Sequence, residues 1–262
     1  MASFLPPARL CATLGGIWGK SVLAVNVAPG IYQLRAMWAR TTVLANGHDV
    51  LMVDAGGRGS LAMIRPALME FDCCLADVHL IVLSHYHPDH SGGAAELVGA
   101  TSAKVAAHCA EAAIIAGDEP FPPPMKGRLM AGVTRPARHL VQGKPVAVDY
   151  SLVDGEVLPW REKVQVVHTP GHTPGSICLH IPGSKLLVAG DALQHKLGRL
   201  YLPAPGVTWD RRQARDSIEK LKSLDFETIC FSHFPPLRHD AKKAVEELLA
   251  RSRKRVDGKE VA

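Results

Sequence analysis

Four side chains that can bind a metal ion lie within six consecutive residues of the sequence, 85–90. His85, His87, Asp89 and His90 directly follow an apolar run and precede a Ser-Gly-Gly segment. Imidazole and carboxylate groups together suit zinc, iron or manganese, and a short turn can direct alternate side chains at two neighbouring ions. Isolated surface histidines do not explain this density, so the run predicts one part of a metal site.

Three further candidate ligands each occur where a predicted strand ends. They are His172 in the segment Thr-Pro-Gly-His-Thr-Pro-Gly, Asp191 after Ala-Gly, and His233 after Phe-Ser. Each signal is weak alone, because Gly-Asp after a strand is more often a plain turn. Together with the four residues of the run 85–90, these three supply the seven donors that two ions need. His168, four residues before His172, competes with it, but His168 is predicted to lie on the preceding strand.

The elements that must position these residues alternate between strand and helix patterns. In the first half, Asn46-Gly47 between apolar runs predicts a hairpin with a type I′ turn. Val78–Ser84 is predicted to be a buried strand that delivers the histidine run at its carboxyl end. The other predicted elements are strands 31–34, 41–45, 49–54 and 104–107 and helices 61–71, 94–98 and 109–115.

The second half repeats this logic, with a helix predicted to begin at an Asp210 cap and a last helix from Asp240. Its predicted strands are 164–167, 177–181, 185–189 and 228–231. Two strand-rich halves, each closed by helices, predict an α/β fold in which two sheets pack face to face with helices outside. We expect a single domain over residues 1–262. The Pro-rich segment 118–136 is interpreted as a loop or lid near the site, or as a scaffold insertion.

Composition limits the class of protein. Apolar residues make up 47% of the 262, the formal net charge is +5, and aromatic content is 5%. The positive charge near residues 251–255 lacks interleaved aromatic residues, which favours a solvated helix end over a nucleic-acid site. Six scattered cysteines are interpreted as reduced thiols, and residues 10–18 lack a typical signal cleavage site. No apolar run approaches bilayer length. We expect a cytoplasmic protein without a membrane or nucleic-acid partner, and leave a homodimer open.

The order and spacing of these motifs resemble the metallo-β-lactamase superfamily, from about Thr41 to His233. The resemblance implies a four-layer αβ/βα sandwich and a dinuclear site, usually of zinc, with iron or manganese as alternatives. It assigns the first ion to His85, His87 and His172, and the second to Asp89, His90 and His233. Asp191 would bridge the two ions, and Asp54 would shape the site without binding metal.

The expected reaction is hydrolysis of a small molecule, with a metal-bridging hydroxide attacking a carbonyl and Asp89 or Asp191 relaying a proton. The motifs resemble both acyl-homoserine-lactone lactonases and glyoxalase II-like thioesterases. Asp191 stands where true class B β-lactamases have cysteine. The sequence interpretation favours a lactone such as an N-acyl-homoserine lactone, which would make the protein a quorum-quenching enzyme. Lactonases often have a tyrosine three residues after the bridging aspartate, where this chain has Gln194, so Tyr201 is predicted to substitute.

Several alternatives remain open from sequence. A glyoxalase II-like thioesterase usually continues into a C-terminal helical segment that binds glutathione, whereas here about one helix follows His233. A mono-iron sulfur dioxygenase shares much of the motif set, and a non-catalytic metal-binding protein would also account for the ligands. Loop residues are interpreted either as an acyl-chain groove or as ordinary packing, and these are Phe121, Met125, Leu129, Met130, Leu200, Leu202 and Trp209. His195 could reach the site because it follows Asp191 closely.

Overall fold

The computed structural model describes residues 23–122, 142–160 and 162–257, with side chains up to residue 252. Its helices are α1 Leu61–Met69, α2 Pro88–Ser91, α3 Ala94–Ala100, α4 Cys109–Ala116, α5 Arg211–Glu219 and α6 Ala241–Asp257. Its strands are β1 Ala24–Ala28, β2 Ile31–Arg35, β3 Arg40–Asn46, β4 Asp49–Val53, β5 Val78–Leu83, β6 Lys104–His108, β7 Tyr150–Leu152, β8 Gln165–His168, β9 Ile177–Ile181, β10 Leu186–Val188, β11 Gln194–Lys196, β12 Arg199–Tyr201 and β13 Thr228–Cys230. Short 3-10 helices lie at Leu75–Asp77, Pro205–Val207 and Lys220–Ser223.

The strands form two main sheets and a small hairpin. Strands β1 to β7 make one sheet in sequence order, antiparallel as far as β4 and parallel from β4 to β7. The second sheet has the order β13-β10-β9-β8, in which β10 and β13 are parallel and the other pairs antiparallel. Strands β11 and β12 pair separately. Strands β8, β10 and β13 therefore run in one direction, and their carboxyl ends share an edge.

Apolar side chains on successive residues of each strand point to opposite faces of the first sheet. In β5, Ile81 and Leu83 pack with helices α1, α3 and α4, whereas Leu80 and Val82 face the second sheet. The outer face of the second sheet packs against α5 and α6 in a third core. The order of layers is therefore helix, sheet, sheet, helix, which confirms the predicted four-layer αβ/βα sandwich.

Most predicted elements are confirmed, with shifts of one or two residues at their ends. The hairpin after β3 exists, but its loop is Gly47-His48, because Asn46 still pairs with Asp49. Gly47 has a positive φ of 62° whereas Asn46 and His48 do not, so the type I′ turn on Asn46-Gly47 is wrong. Asp210 caps α5 as predicted, since its carboxylate accepts hydrogen bonds from the backbone of Arg212 and Gln213.

The sequence interpretation missed the short strands β1, β7, β11 and β12. Three of these have only three residues, a length too short to display the two-residue periodicity of a strand. Three predicted features lie outside the described residues: residues 10–18, most of the 118–136 loop, and the side chains of residues 253–255 in the basic cluster. None of the helices in the described part of the chain has the length and apolarity that crossing a bilayer requires.

Candidate metal centre

The first four candidate ligands follow β5 on a tight turn into α2. Pro88 occupies the first position of this four-residue helix, where its fixed φ suits the helix start and its missing N–H costs no hydrogen bond. The turn points His85 and His87 to one group of donors, and Asp89 and His90 to a second. His85 and His90 are almost wholly buried, at 1% and 0% exposure.

The other three candidate ligands lie at the shared edge of the second sheet. His172 follows β8, Asp191 follows β10, and His233 follows β13. Since these three strands run in the same direction, their carboxyl ends bring the side chains to the end of β5 across the sandwich. The structure therefore brings together all seven residues that the sequence predicted, although their role as ligands remains a prediction.

Three imidazole nitrogens form the first donor group. His87 Nδ1 lies 3.0 Å from His85 Nε2 and 3.0 Å from His172 Nε2, and the two Nε2 atoms lie 3.2 Å apart. Ligands at about 2.1 Å from a tetrahedral zinc ion stand about 3.4 Å from one another. Three nitrogens at such separations cannot all satisfy each other by hydrogen bonding, because a neutral imidazole has only one N–H. The spacing fits a shared cation.

The second donor group contains Asp89, His90 and His233. Asp89 Oδ2 lies 3.2 Å from His233 Nε2 and 3.6 Å from His90 Nε2. His90 Nε2 is buried, and among the described residues it has no hydrogen-bond partner. An unpartnered buried imidazole nitrogen facing two carboxylates fits a position beside a cation.

Asp191 lies between the two donor groups. Its Oδ1 is 3.3 Å from His233 Nε2 and 3.6 Å from His90 Nε2, both in the second group. Its Oδ2 is 3.6 Å from His172 Nε2 in the first group. One oxygen of the carboxylate thus faces each group, which is the arrangement that a bridging ligand requires.

Asp54 holds the ring of His90 from behind. Its Oδ2 accepts a hydrogen bond from His90 Nδ1 at 2.8 Å and from the Ser84 hydroxyl at 2.9 Å, and its Oδ1 accepts from the Ser84 backbone N–H at 2.7 Å. Donation from Nδ1 leaves Nε2 as the nitrogen that faces the second donor group. Asp54 also has a positive φ of 68°, an uncommon backbone conformation for a residue other than glycine.

Backbone groups orient two more of the candidate ligands. His233 Nδ1 lies 3.1 Å from the carbonyl oxygen of Trp38, so its Nε2 points to the second group. The backbone N–H of Trp209 donates to the carbonyl oxygen of His172 at 3.0 Å. Both tryptophan residues are substantially exposed, at 54% for Trp38 and 41% for Trp209. The two tryptophans therefore flank the centre, one beside each donor group.

The electrostatics differ between the two donor groups. Burial lowers the pKa of His87 to about 3 and of His172 to about 4, and it holds the pKa of His85 well below its usual value, with neighbouring imidazoles adding to the effect. In the second group, the Asp191 and Asp89 carboxylates raise the pKa of His233 to about 9. Burial opposes the charge on His90, but Asp54, Asp89 and Asp191 outweigh it and raise the His90 pKa well above the usual value.

Both carboxylates of the centre are held in the ionised form. Burial alone would raise the pKa of each group, but the charge of His90 and hydrogen bonding to His233 outweigh it. The pKa of Asp89 falls to about 2, and the pKa of Asp191 lies well below its usual range. Ionised carboxylates suit metal binding, whereas a proton relay works best with a pKa near the working pH.

The histidines that the sequence ranked below the ligands lie elsewhere. His168 stacks on His108 with ring centroids 3.8 Å apart, and its Nε2 is 2.9 Å from the carbonyl oxygen of Pro174. The ring of His195 packs on Phe231, with centroids 5.6 Å apart. Neither belongs to the donor groups that the described residues form. The preference for His172 over His168 agrees with this geometry.

Tyr201 is partly exposed on β12 and lines a surface groove with Leu202, Leu248 and Arg251. No contact in the described part of the chain joins its hydroxyl to the candidate ligands, so its predicted role in assisting an oxyanion stays a prediction. Leu200 is buried in the core beneath α6, which agrees with ordinary packing at that position. Phe121 packs edge-on to Tyr86 at 5.8 Å, while the Met125, Leu129 and Met130 positions lie outside the described residues.

Sequence reasoning overlooked several residues that support the centre. Ser84 forms hydrogen bonds to Asp54, and the Trp38 carbonyl oxygen contacts His233. Neither Ser84 nor Trp38 lies in a distinctive sequence motif. Glu111, almost wholly buried on α4, accepts hydrogen bonds from Tyr86 and Gly175 in the two loops that carry the first donor group. The sequence does contain a signal for Glu111, which is the single charged residue in the otherwise apolar segment 109–116.

Fold and site together define a class of protein. A model of the metallo-β-lactamase superfamily matches residues 39–233, so the chain belongs to that superfamily. Members bind divalent metal ions, usually zinc, which accords with the two donor groups and the bridging carboxylate described here.

The relatives are hydrolases by name, and one is named as a probable metallo-hydrolase. "Probable metallo-hydrolase YflN" of Bacillus subtilis is 29% identical over 236 residues, which cover 83% of this chain and 89% of that protein. A hydroxyacylglutathione hydrolase of Cereibacter sphaeroides is 31% identical over 197 residues, 72% of this chain and 63% of that protein. For the Rhodobacter capsulatus hydroxyacylglutathione hydrolase the values are 31% over 159 residues, 60% and 48%. The chain thus spans about half to two thirds of these two hydroxyacylglutathione hydrolases.

Solved structures show the same fold. A metallo-beta-lactamase family protein of Thermus thermophilus superposes with a TM-score of 0.66 at 25% identity, covering 88% of this chain and 82% of that one. The subclass B3 metallo-beta-lactamase MEM-A1 from a soil metagenome gives a TM-score of 0.65 at 21% identity, covering 89% and 95%. The second likeness bears on the fold alone. Superfamily membership and the named metallo-hydrolases support a metal-dependent hydrolase.

Proposed function

We propose that this protein is a dinuclear zinc-dependent hydrolase that cleaves an ester-type carbonyl bond in a small molecule. The observation that carries the proposal is the Asp191 carboxylate, which directs one oxygen to each of two three-residue donor groups. His85, His87 and His172 would hold one ion, and Asp89, His90 and His233 the other. When bound, two such ions lower the pKa of a water molecule towards neutrality and polarise a carbonyl oxygen.

The chain's own residues supply positioning and charge. Asp54 fixes the His90 ring, and the Trp38 carbonyl fixes the His233 ring, so both Nε2 atoms face the second donor group. Rings held by hydrogen bonds in this way stay in place during the reaction and need little reorganisation. Because Asp89 and Asp191 are ionised, we assign them the role of metal ligands in preference to that of a proton relay. A proton relay through Asp89 is tested by Asp89→Asn: full turnover with both metals retained would exclude it.

Two substrate classes deserve direct comparison. The thioester class is supported by relatives named hydroxyacylglutathione hydrolase that are 31% identical to this chain. The lactone class, exemplified by N-acyl-homoserine lactones and by quorum quenching, is supported by the resemblance of the His-x-His-x-Asp-His, Thr-Pro-Gly-His and Gly-Asp motifs. Both substrates present a carbonyl carbon to attack and a leaving group that needs a proton, so one centre can serve either reaction.

The test is a substrate panel with the metal-loaded protein. We would measure release of product from an N-acyl-homoserine lactone, a hydroxyacylglutathione thioester, a β-lactam and a phosphodiester, with and without chelator. His172→Ala should abolish activity. His79→Ala serves as the matched control, because His79 is exposed on β5 and bonds Asp49 rather than any candidate ligand. Absence of turnover on all four substrates would contradict the hydrolase proposal.

Metal analysis separates hydrolysis from the redox alternative. Two zinc ions per chain with no oxygen consumption support the proposal. One iron ion per chain with substrate-dependent oxygen uptake would replace it with a mono-iron dioxygenase. Two bound ions without turnover of any substrate would favour a metal-binding protein without catalysis.

A further inference from the structure

Glu111 is a buried carboxylate that the proposed chemistry does not use. It lies on α4 with 1% of its surface exposed. Its Oε2 accepts a hydrogen bond from the backbone N–H of Tyr86 at 2.7 Å, and its Oε1 accepts one from the backbone N–H of Gly175 at 2.8 Å. The hydroxyl of Thr173 also donates to it. Among the described residues, no arginine, lysine or histidine forms an ion pair with this carboxylate.

The three donors belong to the two loops that carry the first donor group. Tyr86 lies between His85 and His87, directly after β5 of the first sheet. Thr173 follows His172 directly, in the loop between β8 and β9 of the second sheet. One side chain therefore bonds the backbones of loops from both sheets, immediately beside the ring nitrogens that stand 3.0 to 3.2 Å apart.

Glu111 packs closely against the loop that carries Gly175. A Cβ atom at Gly175 would lie 2.7 Å from Glu111 Cγ and 3.1 Å from its Cδ. The loop therefore approaches the carboxylate too closely for any side chain at that position. Burying a carboxylate is costly unless hydrogen bonds compensate, so Glu111 on the apolar helix α4 depends on the donors that the two loops supply.

We propose that Glu111 is a positioning residue that sets the separation between His172 and the His85–His87 pair, and thereby the affinity of the first donor group for its ion. The inference rests on the proposed two-metal function. It predicts a selective effect, because two of the three donors, Thr173 and Gly175, lie in the His172 loop, which contributes no residue to the second donor group. A residue that only stabilised the fold would not discriminate between the two donor groups.

The experiment measures zinc affinity at each group separately, by competition with a chromophoric chelator. His233→Ala gives a background that retains the first group, and His87→Ala gives one that retains the second. We expect Glu111→Gln to weaken zinc binding about 10- to 100-fold in the first background and less than about threefold in the second. The amide keeps the volume of the side chain, but it presents an NH₂ group to one of the two backbone N–H groups.

Asp77→Asn is the matched control. Asp77 is equally buried and also accepts a backbone hydrogen bond, from Cys74 at 2.8 Å, but it lies at the start of β5, away from the candidate ligands. Its substitution should leave zinc affinity unchanged in both backgrounds. Gly175→Ala is a second route to the same test, because it pushes on Glu111 without removing any donor or acceptor, and we expect it to weaken the first group selectively.

The outcomes distinguish this inference from the proposed function. If wild-type protein binds two zinc ions and turns over substrate while Glu111→Gln and Gly175→Ala bind zinc normally at the first group, the positioning role is refuted alone. Equal losses at both groups, or a lower melting temperature with unchanged affinities, would also refute it. If the wild-type protein binds no zinc, the proposed function itself fails.

Discussion

Replacing Asp54 by asparagine should selectively weaken the second donor group. Asparagine is the suitable probe because it tolerates the positive φ of 68° at this position, whereas alanine would add backbone strain. In the wild-type protein, Asp54 Oδ2 accepts from His90 Nδ1 at 2.8 Å and Oδ1 accepts from the Ser84 N–H at 2.7 Å. The substitution therefore changes the charge and one acceptor while it preserves the shape.

The magnitude follows from the proton on His90. If the asparagine oxygen keeps the bond to the Ser84 N–H, its NH₂ group faces His90 Nδ1, which must then give up its proton and accept. The remaining proton is then held on Nε2, the nitrogen that faces Asp89 and Asp191, and zinc can bind there only if that proton returns to Nδ1 against the NH₂ group. Loss of such an orienting partner typically costs about 10- to 100-fold in metal affinity, which corresponds to about 1.4–2.7 kcal/mol. The first group should lose less, because Ser84 stands between Asp54 and His85.

The assay is zinc competition with a chromophoric chelator in the His87→Ala background, which retains the second group. Asp77→Asn provides a buried carboxylate control. In excess chelator, the Asp54→Asn protein should also lose about 1–3 kcal/mol of unfolding free energy from the impaired buried hydrogen bonds. Unchanged zinc affinity at the second group would refute the reasoning, since it would mean that Asp54 does not set the protonation of His90.

Three further predictions concern pH, metal removal and backbone geometry. The pKa of His233 is raised to about 9 and that of His90 is also raised, so zinc must displace their protons, and the zinc affinity of the second group should fall about tenfold per displaced proton for each unit that pH drops from 8 to 6. The lowered pKa values of the first group predict almost no change in its zinc affinity. Calorimetry in buffers of different ionisation enthalpy counts the displaced protons. Chelation should lower the melting temperature by about 10 °C or more if zinc was present at about a thousandfold above Kd, and a constant melting temperature would contradict metal binding. Gly171→Ala should lower the free energy of unfolding by about 2–4 kcal/mol in denaturant titration, because its Cβ would lie 2.1 Å from the α5 backbone and its φ is positive. Gly155→Ala is the control: its Cβ would have open space around it, so it should lower the free energy of unfolding by only about 1–2 kcal/mol.

The convergence of the seven candidate ligands could be predicted because their signals are local. His85 to His90 are adjacent in the chain, so their density alone marks a site. His172, Asp191 and His233 each follow a strand, and strand ends at one edge of a sheet lie together whatever the loops do. The layer order was predictable for the same reason, since alternating apolar residues in β5 require cover on both faces.

The supporting residues depend on long-range packing and could not be predicted in the same way. The bond between Trp38 and His233 joins residues 195 positions apart, and that between Glu111 and Gly175 joins residues 64 apart. No local sequence pattern predicts such pairs. The error at the hairpin after β3 has a different cause: Asn-Gly was a correct turn signal, but the pairing of Asn46 with Asp49 placed the turn one residue later.

The substrate is the feature that the sequence predicts least well. The exposed residues beside the candidate metal centre contact the candidate ligands through backbone atoms, which leave no pattern in the sequence. Trp38 orients His233 through its carbonyl oxygen, and Trp209 contacts His172 through its N–H. Both contacts are made by backbone atoms, so the side chains at positions 38 and 209 take no direct part in them. The same seven candidate ligands are therefore compatible with different substrates, and their motifs predict a metal-dependent hydrolase without identifying its substrate.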